Sequence, residues 1–445
     1  MEQSHRKTFL GLDIGTTKIC AVVGSFASGN SSGISSGSAG AEQELEILGM
    51  GICPSIGLKK GQVVNIEQTV KSIAKTLQEA KLAAGSLGNS AWIGIAGSHI
   101  YSFNSSGVVA VKSDEIGQED IERVLESAQA VVLPSDRKIL HAIPREYKID
   151  SVEGIKDPIG MSGRRLEGHV HIVTGSFPQI SNMYRCVEKA GINVAGITLQ
   201  PIASSKAVLS EEEKEMGVVL IDIGGGTTDL IVWKEGSIVH SEVFPIGGNH
   251  FTSDLAYALK TSFSEAEKIK IEHGSVIHKN FNQGQIITLE KVKTEKSRPR
   301  EVTLGFLHKV LYSRAEELFG LIEQTLQSKD LKNLLTAGVV ITGGGALMKD
   351  MSTFVEYSLM LPTRLATPLY CKGMTENLLE GPQYSTVIGL LLEAYEKEKQ
   401  LAQEESFLLQ KTTHEIDKIV EPVVSKDFFS RVASSVKNML KEVFS

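Results

Sequence analysis

Two stretches decide the fold: "LDIGTTK", Leu12–Lys18, and "IDIGGGTTDL", Ile221–Leu230. Both continue a short apolar run, and both read Asp, Ile, Gly, then small residues with a Thr-Thr pair. A strand that ends this way turns back as a tight hairpin. Its glycines let backbone N–H groups approach a phosphate closely, and its threonine hydroxyls donate further hydrogen bonds. The expected phosphate contacts are Gly15, Thr16, Thr17 and Lys18 in the first turn, and Gly224, Gly225, Gly226, Thr227 and Thr228 in the second. Lys18 brings positive charge to the phosphate oxygens. Asp13 and Asp222 would face a hydrated Mg2+ between the phosphates. One Gly-Thr turn alone means little, because these residues simply favour β-turns. Two matched copies in distant parts of the chain suggest duplicated halves facing each other across a cleft. A third turn, "ITGGGALMKD", sets Gly343, Gly344 and Gly345 after a buried strand, where an adenine or ribose can lie flat against backbone.

Around these turns strands alternate with helices, the pattern of the α/β class. "QTVKSIAKTLQEAKLAAG" has helical spacing through Val70, Ile73, Leu77, Ala80 and Ala84 and closes on Gly85. "EDIERVLESAQAVVLP" is another helix, stopped by Pro134, and "EVTLGFLHKVLYSRAEELFGLIEQTLQS" is a longer amphipathic one. "GVVLIDIGGGTTDLIVWKEGSIVHSEVFPIGG" reads as three strands with tight turns. Residues 27–41, "ASGNSSGISSGSAGA", hold too little apolar surface to pack and read as a long hairpin loop.

Composition narrows the function classes. At 445 residues the chain exceeds one simple core. Its net charge of −7 argues against a general nucleic-acid binder, which carries a basic footprint. Cys20, Cys53, Cys186 and Cys371 form no CxxC pair and read as small buried residues in a reducing compartment. The N-terminus lacks a signal-peptide pattern, and no run reaches the roughly 18 apolar residues of a membrane span. The expected place is the cytosol, with any membrane contact at a surface. His99, His141, His169, His171 and His250 lack metal-ligand spacing and read as structural.

Two phosphate hairpins followed by a GGG turn resemble the ATPase superfamily of actin, Hsp70 and the sugar kinases. A closer resemblance, to the FtsA family of bacterial cell-division proteins, is carried by "GLDIGTTK", "IAGSHI", "ILHAIPREYKID", "IKDPIGMSGRRLEGHVHIVTG", "LIDIGGGTTDL", "FPIGGNHFTSDLAYAL", "AEKIK", "ITGGGALM" and the tail. It runs from about residue 9 to 392 and resumes at 427. The resemblance implies an actin-like, two-lobed fold of duplicated ribonuclease H-like halves. The implied boundaries are 1–86 with 166–206 and about 371–395 for subdomain 1A, and 87–165 for the FtsA-type insertion 1C. Subdomain 2A would take 207–243 with 304–370, and 2B 244–303.

The resemblance also implies ATP and Mg2+ as cofactors. Glu267 and Lys270 match the helix that brackets adenosine, and at i and i+3 they share one face. Read by themselves they are a surface ion pair. Gln200 falls where relatives keep a Glu or Gln that positions the hydrolytic water; a neutral amide orients water but is a poor base, so any hydrolysis is expected to be weak. The implied function is to tether the FtsZ ring to the membrane and help recruit later division proteins. Implied partners are the FtsZ C-terminal peptide on 2B and further copies of the chain in actin-like filaments. A sugar kinase would need a catalytic Asp facing its substrate, and none is identified outside the hairpins. An Hsp70-like chaperone would need a peptide-binding domain after 392, where too little chain follows. An actin-like pilus-assembly ATPase shares hairpins and fold but is disfavoured by "IKDPIGMSG" and the tail.

From about Glu393 the texture becomes charged and Gln-rich, without glycine turns. Residues 396–426 read as a flexible charged linker with some helical capacity. Then comes "DFFSRVASSVKNMLKEVFS", 427–445. At helical spacing Phe428, Phe429, Val432, Val436, Met439, Leu440, Val443 and Phe444 fall on one face. Arg431, Lys437 and Lys441 lie on the other, reversing the sign of the acidic chain. Such a stripe either docks on the main domain or lies in a lipid surface. Its basic sign suits anionic inner-membrane lipids, and its polar side is too wide to span a bilayer. With the linker and the resemblance, the expectation is a peripheral helix on the cytoplasmic face of the membrane at the division septum.

Overall fold

In the computed structural model, which describes residues 7–26, 45–277, 284–289, 300–369, 371–373 and 380–419, the first apolar run forms strand Thr8–Ile14 (β1). The chain turns at Gly15 and returns as Lys18–Phe26 (β2), and Leu45–Pro54 (β3) pairs antiparallel with β2. The Gly/Ser-rich stretch 27–41 therefore joins neighbouring strands; it lies outside the described residues. Leu58–Lys59 (β4) and Gln62–Val63 (β5) make a short hairpin before helix Ile66–Ala84 (α1) and strand Ser90–Ile95 (β6). Asn65 caps α1 by accepting from the Gln68 N–H, Ile73, Leu77 and Ala80 are buried on one side, and Gly85 at φ 80° ends it.

Tyr101–Ala110 (β7), helix Gln118–Gln129 (α2), Arg137–Ile149 (β8), Val152–Ile155 (β9) and Arg165–Ser176 (β10) make a separate antiparallel sheet, ordered β7-β10-β8-β9. α2 buries Ile121, Val124 and Ala128, and contributes to cores with Tyr147, Leu166, Val170 and Ile172. This sheet occupies the place expected for the insertion, but it spans 101–176 where 87–165 was expected. β6 pairs with β1 in the first sheet, whereas β10, expected in subdomain 1A, pairs along its whole length with β7 and β8. Composition could not assign these strands, because "AWIGI" and "HVHIVTG" both read as strands and neither says which sheet it joins.

Helix Phe177–Lys189 (α3) and strand Asn193–Leu199 (β11) complete one half, ordered β11-β6-β1-β2-β3. Helices Gln200–Val208 (α4) and Glu211–Met216 (α5) lead to Val218–Ile223 (β12), Thr228–Lys234 (β13) and Ser237–Phe244 (β14). Next come Gly248–Leu259 (α6), Phe263–His273 (α7), the paired strands Ile286–Leu289 (β15) and Arg300–Thr303 (β16), and Leu304–Ser328 (α8). Gly338–Thr342 (β17), Met351–Leu359 (α9) and Thr363–Leu365 (β18) follow. The second sheet, β18-β17-β12-β13-β14, repeats the first: an antiparallel meander, then two parallel strands beside its first member. β12 and β17 are buried at every residue, as expected for strands covered on both faces. Each half has its own core.

Cys371–Gly373 (β19) adds to β3, and helix Ser385–Ile419 (α10) begins with buried Val387, Ile388, Leu390 and Leu391. The chain divides into two compact units, Met1–Ala394 and Tyr395–Ser445. Through Ile419 the segment expected as a flexible linker is helix. Glu, Lys, Gln and Leu dominate it, all good helix formers, and Lys397 donates to Gln400 one turn on (3.1 Å). The amphipathic stretch 427–445 lies outside the described residues.

The inserted sheet docks on β14 by polar contacts. Ser102 Oγ donates to Ser241 C=O (2.6 Å) and Asn104 Nδ2 to Val239 C=O (3.1 Å). His171 lies between them, its Nδ1 2.7 Å from Asn104 Oδ1 and its Nε2 2.9 Å from Ser241 Oγ.

Candidate functional site

The two hairpins close alike: the Gly15 N–H donates to Lys18 C=O (3.0 Å), and the Gly224 N–H to Thr227 C=O (2.9 Å). Their registers also agree, with Asp13 opposite Cys20 and Asp222 opposite Asp229. By this pairing Thr16 and Thr17 correspond to Gly225 and Gly226, and Lys18 to Thr227. The two Thr-Thr pairs that look alike in the sequence are thus out of register. Thr228 corresponds to Ile19 and is fully buried in β13, where its hydroxyl donates to Ile246 C=O (2.8 Å). It ties the loop after β14 to β13 and does not line the cleft with the other hairpin residues.

The tips meet across the cleft. A Cβ added to Gly225 would lie 1.8 Å from Thr17 Oγ1, and one on Gly226 2.6 Å from Thr16 Oγ1. Glycine is required there because the opposing threonines already fill the space. Behind the tips three carboxylates converge. Burial pushes the Asp13 carboxyl up to about 6, opposed by the Lys18 charge and assisted by Asp222. Burial also raises Asp222, against hydroxyl hydrogen bonds from Ser204 and Thr386. Asp229 is raised well above the usual carboxylate range by burial and then by Asp222, and its Oδ1 is buried with no hydrogen-bond partner. A buried acidic cluster with an unsatisfied oxygen suits a hydrated cation held through its waters and not by direct ligands. Among the described residues no three His, Cys, Asp or Glu side chains are grouped to ligate a metal.

Gln200 opens α4 and donates from Nε2 to Asp13 Oδ1 (3.0 Å), which puts it at the cleft. Lys18 Nζ donates to Gln383 C=O (2.6 Å) and sits 4.1 Å from the Tyr384 ring centre. Glu267 and Lys270 do form an ion pair (2.7 Å), and they also line the cleft. Lys270 is tied to α6 through Thr252 Oγ1 (2.9 Å) and Gly248 C=O (3.3 Å). In the third turn, Gly343 and Gly345 are packed on β12: a Cβ would meet Asp222 Oδ1 at 2.3 Å or Ile223 Cγ2 at 2.4 Å. At Gly344 the nearest atom, Gln383 Cβ, is 3.7 Å away, leaving this glycine open. The expected histidines are structural where contacts are seen; His141 Nε2, for example, accepts from the Leu199 N–H (3.0 Å).

Sequence reasoning missed Asp229, Asn249, Gln383 and Thr386, all of which line the cleft. Asp229 had a signal, since pairing across a four-residue turn sets it opposite Asp222. Asn249 lies within the quoted string "FPIGGNHFTSDLAYAL", whereas Gln383 and Thr386 come from a stretch with no motif.

Two family profiles match the chain: "SHS2 domain inserted in FTSA" over residues 97–174, which coincides with the inserted sheet, and "Cell division protein FtsA" over 219–389. Cell division protein FtsA of Pseudomonas aeruginosa is 42% identical over 392 residues, 88% of this chain and 90% of that one. That of Neisseria meningitidis is 39% identical over 411 residues (92% and 95%), and that of Escherichia coli 35% over 408 (90% and 93%). Among solved structures, the PilM-PilN type IV pilus biogenesis complex aligns with a TM-score of 0.61 at 15% identity, over 87% of this chain and 98% of that one. MreB5 of Spiroplasma citri bound to ADP gives 0.53 at 16% (89% and 98%). These two share the actin-like fold; the sequence relatives go further, and this chain belongs to the FtsA family of cell division proteins.

Proposed function

We propose that this protein binds ATP with Mg2+ between its hairpins and tethers FtsZ polymers to the cytoplasmic membrane at the septum, where it helps recruit later division proteins. The observation that carries the reading is the meeting of two glycine–threonine tips in front of Asp13, Asp222 and Asp229. Backbone N–H groups and hydroxyls of the tips would hold phosphate oxygens. Bound Mg2+ would supply positive charge between those oxygens and the aspartates, with Asp13 and Asp222 holding its waters. Glu267, Lys270 and Gly344 would bracket the adenosine. Gln200, beside Asp13, would orient a water, and its neutral amide keeps hydrolysis slow.

The FtsZ C-terminal peptide would dock on the 244–303 region, where Tyr257, Phe263 and Ile271 are exposed on α6 and α7. Further copies would add in actin-like filaments. The tail 427–445 would lie in the anionic lipid surface, its apolar stripe inward and Arg431, Lys437 and Lys441 outward.

Two measurements test this. The full chain should co-sediment with anionic vesicles, and a chain ending at Ser425 should not; equal sedimentation removes the membrane role. The full chain should bind ATP in Mg2+, and Asp222→Asn should weaken binding at least roughly tenfold. Unchanged affinity removes the site assignment.

A further inference from the structure

One face of α4 reaches both halves of the duplicated fold. Gln200, its first residue, donates to Asp13 Oδ1 (3.0 Å), and Ser204, one turn on, donates from Oγ to Asp222 Oδ2 (2.6 Å). Residues at i and i+4 share a helix face, with an axial rise of about 6 Å between them. The matching carboxylate of each half is therefore held by the same rigid element. Thr386 at the start of α10 gives a second hydroxyl to the same Asp222 oxygen (3.3 Å) and lies 3.1 Å from Ser204 Oγ. The two helices cross in contact there: a Cβ on Gly389 would lie 1.7 Å from Ala203 C=O. Ser204 is completely buried, so water cannot replace its hydroxyl.

We infer that Ser204 is a positioning residue, which together with Gln200 sets the separation of Asp13 and Asp222 and thereby fits the cleft to the cation of a bound Mg2+ nucleotide. This rests on the nucleotide reading above. Ser204 acts through Asp222 and not on the nucleotide. The charged groups around Asp222 are Asp13 on β1, Lys18 on β2 and Asp229 on β13. The Ser204 and Thr386 hydroxyls are neutral, so losing either removes a hydrogen bond to a carboxylate without adding or removing a charged side chain.

The test measures ATP binding to the full chain across rising Mg2+, and again in EDTA. Ser204→Ala should raise the Mg2+ midpoint roughly three- to tenfold, with Mg2+-free ATP affinity kept within about twofold. Ser204→Thr, which retains the hydroxyl, should recover most of the shift. Thr386→Val, which loses the longer bond, should raise the midpoint less, roughly twofold. An unchanged midpoint in Ser204→Ala, beside Mg2+-dependent binding by the unaltered protein, overturns the inference and leaves the site reading standing. Equal losses with and without Mg2+ also overturn it, because they mark a purely structural role. If Ser204→Ala fails to fold, Thr386→Val decides in the same way. An unaltered protein that binds no ATP overturns both readings.

Discussion

In the first hairpin Thr16 and Thr17 form the tip and Lys18 closes it; in the second, Gly225 and Gly226 form the tip and Thr227 closes it. Strand order, turn closure and the leading aspartate are the same in both. What differs is volume: one tip carries side chains, and the other lacks them where those side chains fit. The duplication thus gives one site with two unlike walls, and neither wall is complete alone. The asymmetry extends inward, where Cys20 in one half stands opposite its aspartate and Asp229 in the other. It extends outward too. The edge beyond β3 is covered by β19, whereas β14 is covered by the sheet inserted in the first half.

The largest expected effect comes from forcing volume onto the empty tip. Gly225→Ala drives a methyl group into Thr17, and overpacking of this kind costs about 1–3 kcal/mol. Its affinity for Mg2+ and ATP, measured by titration, should fall by up to roughly a hundredfold. Adding Thr17→Gly removes the obstacle, and neither glycine needs a left-handed φ, so the double variant should recover at least roughly tenfold of that loss. A double variant no better than Gly225→Ala would break the complementarity of the tips.

The second effect tests the covered edge of β14. Burial, then the charges of His240 on β14 and of Arg145 and His141 on β8, hold the His171 imidazole down at about 3. An unfolded histidine titrates near 6.5. Between those values the unfolded state binds more protons, so stability falls as pH drops from about 6.5 toward 3, at up to roughly 1.4 kcal/mol per pH unit. His99, held at about 4 by burial and Arg137, adds a slope of the same sign. The raised Asp13, Asp222 and Asp229 carboxyls contribute slopes of the opposite sign, so the readout is a difference: in denaturant unfolding from pH 7 to 5, His171→Gln should lose less stability on acidification than the unaltered protein. An unchanged slope would mean that His171 is not neutral at this contact.

Lys18 has no counterpart in the second hairpin, where Thr227 takes its place. Its ammonium ties the first tip to Gln383 and Tyr384 and lowers the Asp13 carboxyl. Lys18→Met should weaken ATP by roughly tenfold and flatten the dependence of affinity on salt, since the charge contact proposed with phosphate would be lost. An affinity loss with the salt dependence unchanged would assign Lys18 to packing alone.

Much of this fold is legible in the sequence. Asp-Ile-Gly after an apolar run identified both hairpins, because the turn demands small residues at fixed places. Helix α1 was legible from its spacing and Gly85. The limits of the inserted sheet were not, since an apolar strand does not say which sheet it joins. That Gly343 and Gly345, which line the cleft with Gly344 as expected, also pack on β12 was not: close packing and close approach of a ligand demand the same residue. Gln383 and Thr386 reach the cleft only through the return of α10, which leaves no local trace. The two Thr-Thr pairs misled because likeness in letters stood in for register.

Thr228 tests that last point with the smallest effect. Thr228→Val keeps the side-chain shape and removes the hydroxyl that donates to Ile246 C=O in the loop after β14. Its buried position gives water no access, so stability should fall by roughly 1 kcal/mol. ATP affinity should stay within about twofold, because Thr228 matches Ile19 in register and does not line the cleft. Thr17→Val should do the opposite, weakening ATP several-fold while leaving stability nearly unchanged at an exposed tip. Unfolding curves and ATP titrations on the two variants separate these outcomes. An affinity loss at Thr228 without a stability loss would bring the Thr-Thr pairs back into register and undo the match between Thr16–Thr17 and Gly225–Gly226 that makes the two tips complementary.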